Sequence, residues 1–330
     1  MDIPQELIDA VDAVAPGLIA IPGVTGVGLG FREENGEFFD ELAARVLVAD
    51  ASEVPAGVPD SIAGLPVCVV EFMVEPLFAP DTTRYDDLPG GAQIQPAPGA
   101  SGTLGAIVQD GSGTEVGLTC HHVSGDPGTT VWQPIAPPII AGGPPVDLTD
   151  ALGQTITVES PATQTIPVPS GPVLLLGRPL DAATVALDEA LNQGRTISHA
   201  IVDGPDFGVV DATKPPSVGT FVKKRGSQSG PTAGTVTGIQ SLVPWDVGGP
   251  PPGHRFVMSR QYEIFYLPDG CPDGIFARGG DSGSLVLERG SRTAVGLLWA
   301  GNRAGGTRAL MSDITVVESR LGVTVAWAGQ

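Results

Sequence analysis

The chain is expected to be mainly β, with a small α+β module at its N-terminus and an antiparallel barrel or sandwich after about residue 100. Three observations predict this. Gly (46) and Pro (32) are frequent in 330 residues, so turns recur every few positions, which suits short strands better than long helices. The chain is also 42% hydrophobic, too apolar over most of its length for a low-complexity disordered segment. Short apolar runs separated by Gly-rich turns then follow one another from Ala100 almost to the C-terminus.

Residues 4–15 carry Leu7, Ile8, Val11 and Val14 at helical spacing, which predicts a short amphipathic helix. VTGVGLGF (24–31) reads as a strand, Glu34-Asn35-Gly36 as a turn and AARVLVAD (43–50) as a second strand. PDSIAGL (59–65) reads as a helical turn and PVCVVEFMV (66–74) as a third strand. Together they predict a βαβ-type module over 1–75. Its GVGLG lacks the third glycine and following helix of a dinucleotide site, so the glycines are assigned to close packing or a bulge. Residues 76–99 shift to Pro, Asp, Gly and Thr without periodicity and read as a linker. The strands expected beyond it are TLGAIVQ, EVGLTCHHV, GQTITVE, AATVAL, GTFVKK, AGTVTGI, RFVMS, EIFYL, GSLVLE, AVGLLWAG and ITVVESRL. The Pro/Gly stretches 134–145 and 244–254 read as loops.

GGDSGSLVL (279–287) is the strongest chemical signal. A serine hydroxyl needs a base to become a nucleophile, and the carbonyl it attacks needs donors for the developing negative charge. Glycines around Asp281-Ser282 permit a tight turn, with the Gly280 and Ser282 amides as an oxyanion hole. An ordinary Gly-rich hairpin is the plain alternative. GLTCHHV (117–123) offers the base: His122, at the end of an apolar strand, is preferred to His121, which would alternate to the other strand face. PLDAATVAL (179–187) offers the acid. Asp181 at the start of a buried strand needs a partner, which a histidine supplies. Asp188 and Asp206 are the fallbacks. The order His122, Asp181, Ser282 differs from the orders in subtilisin and in α/β-hydrolases. A metal site from Cys120, His121, His122 and Cys271 is disfavoured, since adjacent ligands cannot all point one way. No cofactor is expected.

On these motifs residues 100–330 resemble the trypsin-like (chymotrypsin-fold) serine peptidase superfamily. LTCHHV resembles its histidine strand, DAATVAL its aspartate strand and GGDSGSLV its serine turn. KKRGSQSGPTAGTV (223–236) is similar to a stretch of bacterial intracellular relatives, in which a small N-terminal module often precedes the protease domain. The resemblance implies two six-stranded β-barrels, about 100–212 and 213–330. GLLWAG (296–301) would be the substrate-binding strand, with Leu298, Trp299, Ala300 and Gly301 facing the peptide backbone. Phe276 would sit at the base of the specificity pocket, favouring apolar side chains. Gly-Ser after the nucleophile replaces Gly-Gly, and no new N-terminus of the activating kind precedes the barrel. The implied function is a serine endopeptidase acting on protein or peptide substrates, possible regulation by the N-terminal module included. An idle protease-fold binding module, or an esterase with the same triad, are the alternatives.

A net charge of −20 argues against a nucleic-acid partner, which needs clustered cations. No run approaches the ~20 apolar residues that cross a bilayer, so no membrane partner is expected. Three cysteines (Cys68, Cys120, Cys271) suggest reduced thiols, and the N-terminus lacks a secretory pattern. A cytoplasmic setting is therefore the expectation.

Overall fold

The structure is a computed structural model that describes residues 3–34, 36–48, 50–72, 74–75, 83–97, 100–134, 150–159, 162–168, 171–178, 180–202, 206–245, 256–271, 273–302 and 306–327. Six strands of the C-terminal half close into a ring. Phe221–Gly226 pairs with Gly230–Trp245, which pairs with Phe256–Tyr266. That strand pairs with Arg308–Asp313, then Thr293–Asn302, then Leu285–Glu288, which returns to Phe221–Gly226. Every pairing is antiparallel, and the ring closes on itself. Its interior holds Val222, Val236, Ile264, Phe276, Val286 and Leu298.

The other half is built on a second sheet. Glu115–Thr119 pairs with Ala106–Asp110 on one side and Ala183–Val185 on the other. Ala151–Val158 and Thr130–Trp132 continue that sheet to Gln93–Ala97 and Ala100–Thr103. Residues 83–97, expected as linker, thus carry two strands: Asp87–Gly90 pairs with Thr196–Ile201, and Gln93–Ala97 joins the sheet. Their Pro and Gly content obscures a strand pattern that tertiary pairing supplies. After the ring, Val323–Thr324 crosses back to pair with Ala106–Asp110, tying the two halves together.

Three sequence expectations need correction. ITVVESRL is an α-helix, Ile314–Leu321, not a strand. Its β-branched residues mislead, but Asp313 caps Thr315 N–H and Gly322 closes it at φ 66°, while Ile314, Val317 and Leu321 form a buried face. PDSIAGL is not helical: Ser61–Ile62 and Leu65–Glu71 form a hairpin whose two turn residues, Ala63 and Gly64, both have positive φ. RFVMS and EIFYL are one strand. The 134–145 and 244–254 loops fall mainly outside the described residues.

The N-terminal helix, Gln5–Ile19, buries Val11, Ala15, Leu18 and Ile19 against Val24–Glu34 and Glu37–Val48. Val14 faces outward, because the helix packs on the stripe spaced 11, 15, 18. Glu37–Val48 pairs in parallel with Leu65–Glu71, as a βαβ-type module requires, with the Ser61–Ile62 hairpin strand in place of a crossover helix. Where Phe221–Gly226 stops along Gly230–Trp245, Val24–Glu34 takes over the same edge, Gly28 opposite Gln240 and Gly30 opposite Gly238. The two glycines are there for proximity. A Cβ on Gly28 would lie 2.0 Å from the Ile239 carbonyl oxygen, and one on Gly30 would lie 2.2 Å from that of Thr237.

Charges seal this seam. The fully buried Arg45 donates to Glu263 at 2.8 Å and to Glu33 at 3.0 Å. Arg308 donates to Glu263 at 2.7 Å and also pairs with Glu33. Gln240 Nε2 gives Glu263 a further bond at 2.7 Å. Burial works to raise the Glu263 carboxyl, and the two guanidiniums outweigh it, holding the group below its ordinary value. Two of the four charges come from the module and two from the ring, which also supplies Gln240.

Gly28→Ala should therefore lower stability by about 1–3 kcal/mol through overpacking of backbone on backbone. Urea denaturation of the full chain checks this. A midpoint equal to that of wild type would show that the two strands part easily.

Candidate active site

The register of one strand pair sets the first half of the site. Thr119 lies opposite Ala183, so His122, three residues beyond the end of one strand, meets Asp181, two residues before the other. The chain after Thr119 turns into a short helix, His121–Ser124, with Cys120 at its N-cap. His121 and His122 are thus separated by helical rotation and not by strand alternation, which corrects the reason given for preferring His122. The Asp181 carboxylate is fully buried: Oδ1 accepts the His122 backbone N–H at 3.0 Å, and Oδ2 is hydrogen-bonded to His122 Nδ1. Burial pushes this carboxyl up, but the His122 ring and both hydrogen bonds outweigh it and hold it below the usual range. His121 points to Asp126, Nε2 to Oδ1 at 2.9 Å.

Ser282 comes from the ring, on the turn that enters Leu285–Glu288. Its Oγ donates to the Trp299 carbonyl at 2.9 Å. One residue earlier, the Leu298 carbonyl accepts the Cys120 thiol at 3.2 Å. The Leu298–Trp299 step therefore touches both the second-sheet turn that carries His122 and the nucleophile candidate. Gly280 and Gly283 have φ of 102° and 94°, a region open to glycine. A Cβ at Gly283 would also stand 2.1 Å from the Thr103 carbonyl oxygen. Among the described residues, neither the Gly280 nor the Ser282 backbone N–H has a hydrogen-bond partner, although both residues are buried. Buried amides are ordinarily paired, so these two donors are unspent within the described residues.

The loop rests on a buried ion pair that sequence reasoning did not find. Lys224 Nζ donates to Asp281 Oδ2 at 2.8 Å, with both side chains fully buried. Asp281 also accepts from Ser229 Oγ at 2.7 Å, from Arg278 N at 2.8 Å, and from Gln228 and Ser229 N at 3.0 Å each. Burial favours the protonated carboxyl, and the Lys224 charge with these donors prevails, holding it below its ordinary value. Gly226 makes room: a Cβ there would lie 2.1 Å from Asp281 Oδ1. The signal in the sequence was a second lysine within an otherwise buried strand, GTFVKKRG.

The other expected site residues fall as follows. Leu298, Trp299 and Ala300 bury their side chains, leaving backbone to offer, while Gly301 and Asn302 pair antiparallel with Glu75 and Val74. Phe276 is 0% exposed in the ring core, its ring 5.5 Å from Lys224 Nζ. It packs in the ring core with Val222, Ile264 and Leu298, so a side-chain role at the base of an open pocket does not fit its burial. Cys271 bonds the Ala233 carbonyl inside the ring and, among the described residues, joins no ligand cluster with Cys120. The fallback acids lie elsewhere, Asp188 opening a short helix and Asp206 exposed.

No family model matches the chain, and no curated protein matches it in sequence. Solved structures of similar fold include a glutamic-acid-specific serine protease described as using a histidine triad in substrate binding. It is 19% identical, with a TM-score of 0.48, over 72% of this chain and 99% of that one. Nocardiopsis protease is 17% identical (TM-score 0.46; 73% and 100% covered). Cellulomonas bogoriensis chymotrypsin is 19% identical (TM-score 0.46; 72% and 97% covered). The likeness is one of fold, and no residue role passes from them to this chain. The closed six-stranded ring beside a second β-sheet is a chymotrypsin-like fold.

Two outcomes follow from the electrostatics. Lys224→Met should lower stability by about 3–5 kcal/mol, because it strands a buried carboxylate; denaturation of the full chain reads this, and a loss under about 1 kcal/mol counts against the pair. Asp181 and Asp281 have depressed folded-state pKa values, so their stabilisation is complete above the unfolded carboxyl value near ~4 and disappears as pH falls through the folded values. The urea midpoint should hold between pH 7 and 5 and drop below pH 4, with a smaller drop in Asp181→Asn.

Proposed function

We propose that the protein is a serine endopeptidase working through an acyl-enzyme. What supports this is that His122 pairs with the buried Asp181 on the turn whose Cys120 bonds Leu298, while Ser282 bonds the next carbonyl, Trp299, beside two unpartnered amides. The reaction begins as Ser282 Oγ turns from the Trp299 carbonyl to His122 Nε2. His122 takes the hydroxyl proton while Oγ attacks the peptide carbonyl, and the charge on that oxygen passes to the Gly280 and Ser282 amides. The imidazolium, steadied by Asp181, then protonates the departing amine. Water, deprotonated by His122, attacks the acyl carbon, and Ser282 leaves with the proton returned. Backbone along Leu298–Gly301 receives the substrate as an added antiparallel strand.

Regulation by the N-terminal module has a specific support. Val74–Glu75, at the end of that module, lies antiparallel along Gly301–Asn302, the edge that the substrate strand would use. The module is accordingly a competitor in cis for the site.

Fluorophosphonate labelling tests the reading. Wild type should label; Ser282→Ala should not, His122→Ala should be reduced by at least ~10³-fold, and His121→Ala should stay near wild type. A folded wild type that never labels, with peptide substrates also untouched, counts against it. Glu75→Pro, which removes one strand N–H, should raise the labelling rate about five- to tenfold, the worth of one hydrogen bond of ~1 kcal/mol or slightly more. An unchanged rate would remove the competitor.

A further inference from the structure

The carbonyls on either side of the nucleophile are all tied down, and the ties come largely from outside the loop. The Gly280 carbonyl accepts two hydroxyls, Thr103 Oγ1 at 2.7 Å and Ser227 Oγ at 2.8 Å. The Asp281 carbonyl accepts Ser284 Oγ at 2.5 Å and Ser284 N at 3.0 Å. The Ser282 carbonyl accepts the Thr103 backbone N–H at 2.8 Å. Thr103 belongs to the second sheet, at the end of Ala100–Thr103, and Ser227 to the turn between Phe221–Gly226 and Gly230–Trp245.

We propose that Thr103 and Ser227 are positioning residues for the oxyanion loop, holding it in its working conformation, Thr103 from the other sheet and Ser227 from a neighbouring turn of the ring. This rests on the endopeptidase reading and goes beyond it, since neither residue touches a reacting atom. The need is physical. Gly280, at φ 102°, has no side chain to hold it, so without outside ties the Gly280–Asp281 peptide could turn cheaply. Two hydroxyls on the Gly280 carbonyl set that residue's ψ, and the Thr103 N–H sets the peptide after Ser282. The 281–282 peptide between them, which carries the Ser282 N–H, keeps one direction, and Gly280 is anchored from its carbonyl side.

Thr103 is suited to the task because its own hydroxyl has no rotational freedom. Oγ1 donates to Gly280 and accepts the Ser227 backbone N–H at 3.0 Å. The Thr103 carbonyl is held in turn by Thr119 Oγ1 at 2.8 Å, on the strand that leads to His122. Thr103 is fully buried and Ser227 nearly so, which shields these bonds from water. The same threonine therefore links the strand that carries the base to the loop that carries the nucleophile.

The test compares wild type, Thr103→Val, Thr103→Ser, Ser227→Ala and the Thr103→Val/Ser227→Ala double variant, all as the full chain. Read out are kcat and KM on a peptide p-nitroanilide, the fluorophosphonate labelling rate, and the pH–rate profile. Thr103→Val should lower kcat and the labelling rate about 10- to 100-fold with KM changed less than about threefold, the penalty expected when oxyanion donors are displaced but not removed. Thr103→Ser, which restores the hydroxyl, should recover most of that loss. Ser227→Ala should act in the same direction, and the acid limb of the profile should not move, since the His122–Asp181 pair is untouched. Equal losses in Thr103→Ser and Thr103→Val would make the role one of packing and overturn the proposal. So would a kcat within about twofold of wild type in Ser227→Ala together with Thr103→Val, or in Ser227→Ala should the valine variant not fold. A wild type inert to probe and peptide alike would instead defeat the endopeptidase reading, and this proposal with it.

Discussion

A carboxylate placed directly before Ser282 and shut away from water must find its partners within the chain, and most of the local architecture follows from how Asp281 does so. One lysine, one serine hydroxyl and three backbone amides surround it. Each comes from a segment whose course is thereby fixed: the Phe221–Gly226 strand, the 227–229 turn and the 278–284 loop. An isolated ion at this depth would neutralise or unfold the loop. Paired as it is, it converts a Gly-rich turn, which would otherwise have many conformations, into one. The charge that does this is Lys224, a residue of the barrel wall, present as soon as the ring closes.

The same logic operates at the other end of the chain. The N-terminal module joins the ring by extending the edge of Gly230–Trp245, and the paired charges Arg45, Glu33, Glu263 and Arg308 close over the junction. A strand added to an edge brings backbone hydrogen bonds without a large apolar face. The buried charges then fix which strand is added and in what register, because a slip of one residue would separate ions that have no water to turn to. The chain reaches from there to the Gly301–Asn302 edge within a few residues of leaving Leu65–Glu71.

Much of this was legible in the sequence where chemistry constrains residue type. The His122–Asp181 contact was readable because a buried carboxylate at a strand start demands a partner, and the Gly-Asp-Ser-Gly turn because it needs positive φ on both sides of the serine. The glycines of GVGLG read correctly as close-packing residues. Elsewhere local pattern and tertiary demand diverged. Ile314–Leu321 has the β-branched composition of a strand, and only its caps Asp313 and Gly322 announce a helix. The two strands within 83–97 have no alternation to announce them, since their partners are distant in sequence. Phe276 was placed by family register, which cannot see that the ring core needs its volume. Thr103 and Ser227 sit in ASGT and GSQS, runs of turn-like residues whose hydroxyls take on meaning only when the two halves meet.

The three cysteines are buried at three different junctions. Cys68 bonds the Glu33 carbonyl at the module seam, Cys120 bonds Leu298 beside the His122 turn, and Cys271 bonds Ala233 in the ring. Burial pushes all three thiols up, Cys120 most strongly, so each is a poor nucleophile while its surroundings stay closed. The molecule therefore contains its own set of clocks. The rate at which a thiol reagent reaches each sulfur measures how often that junction opens, and the order of reaction ranks the seam, the cleft and the barrel by local stability.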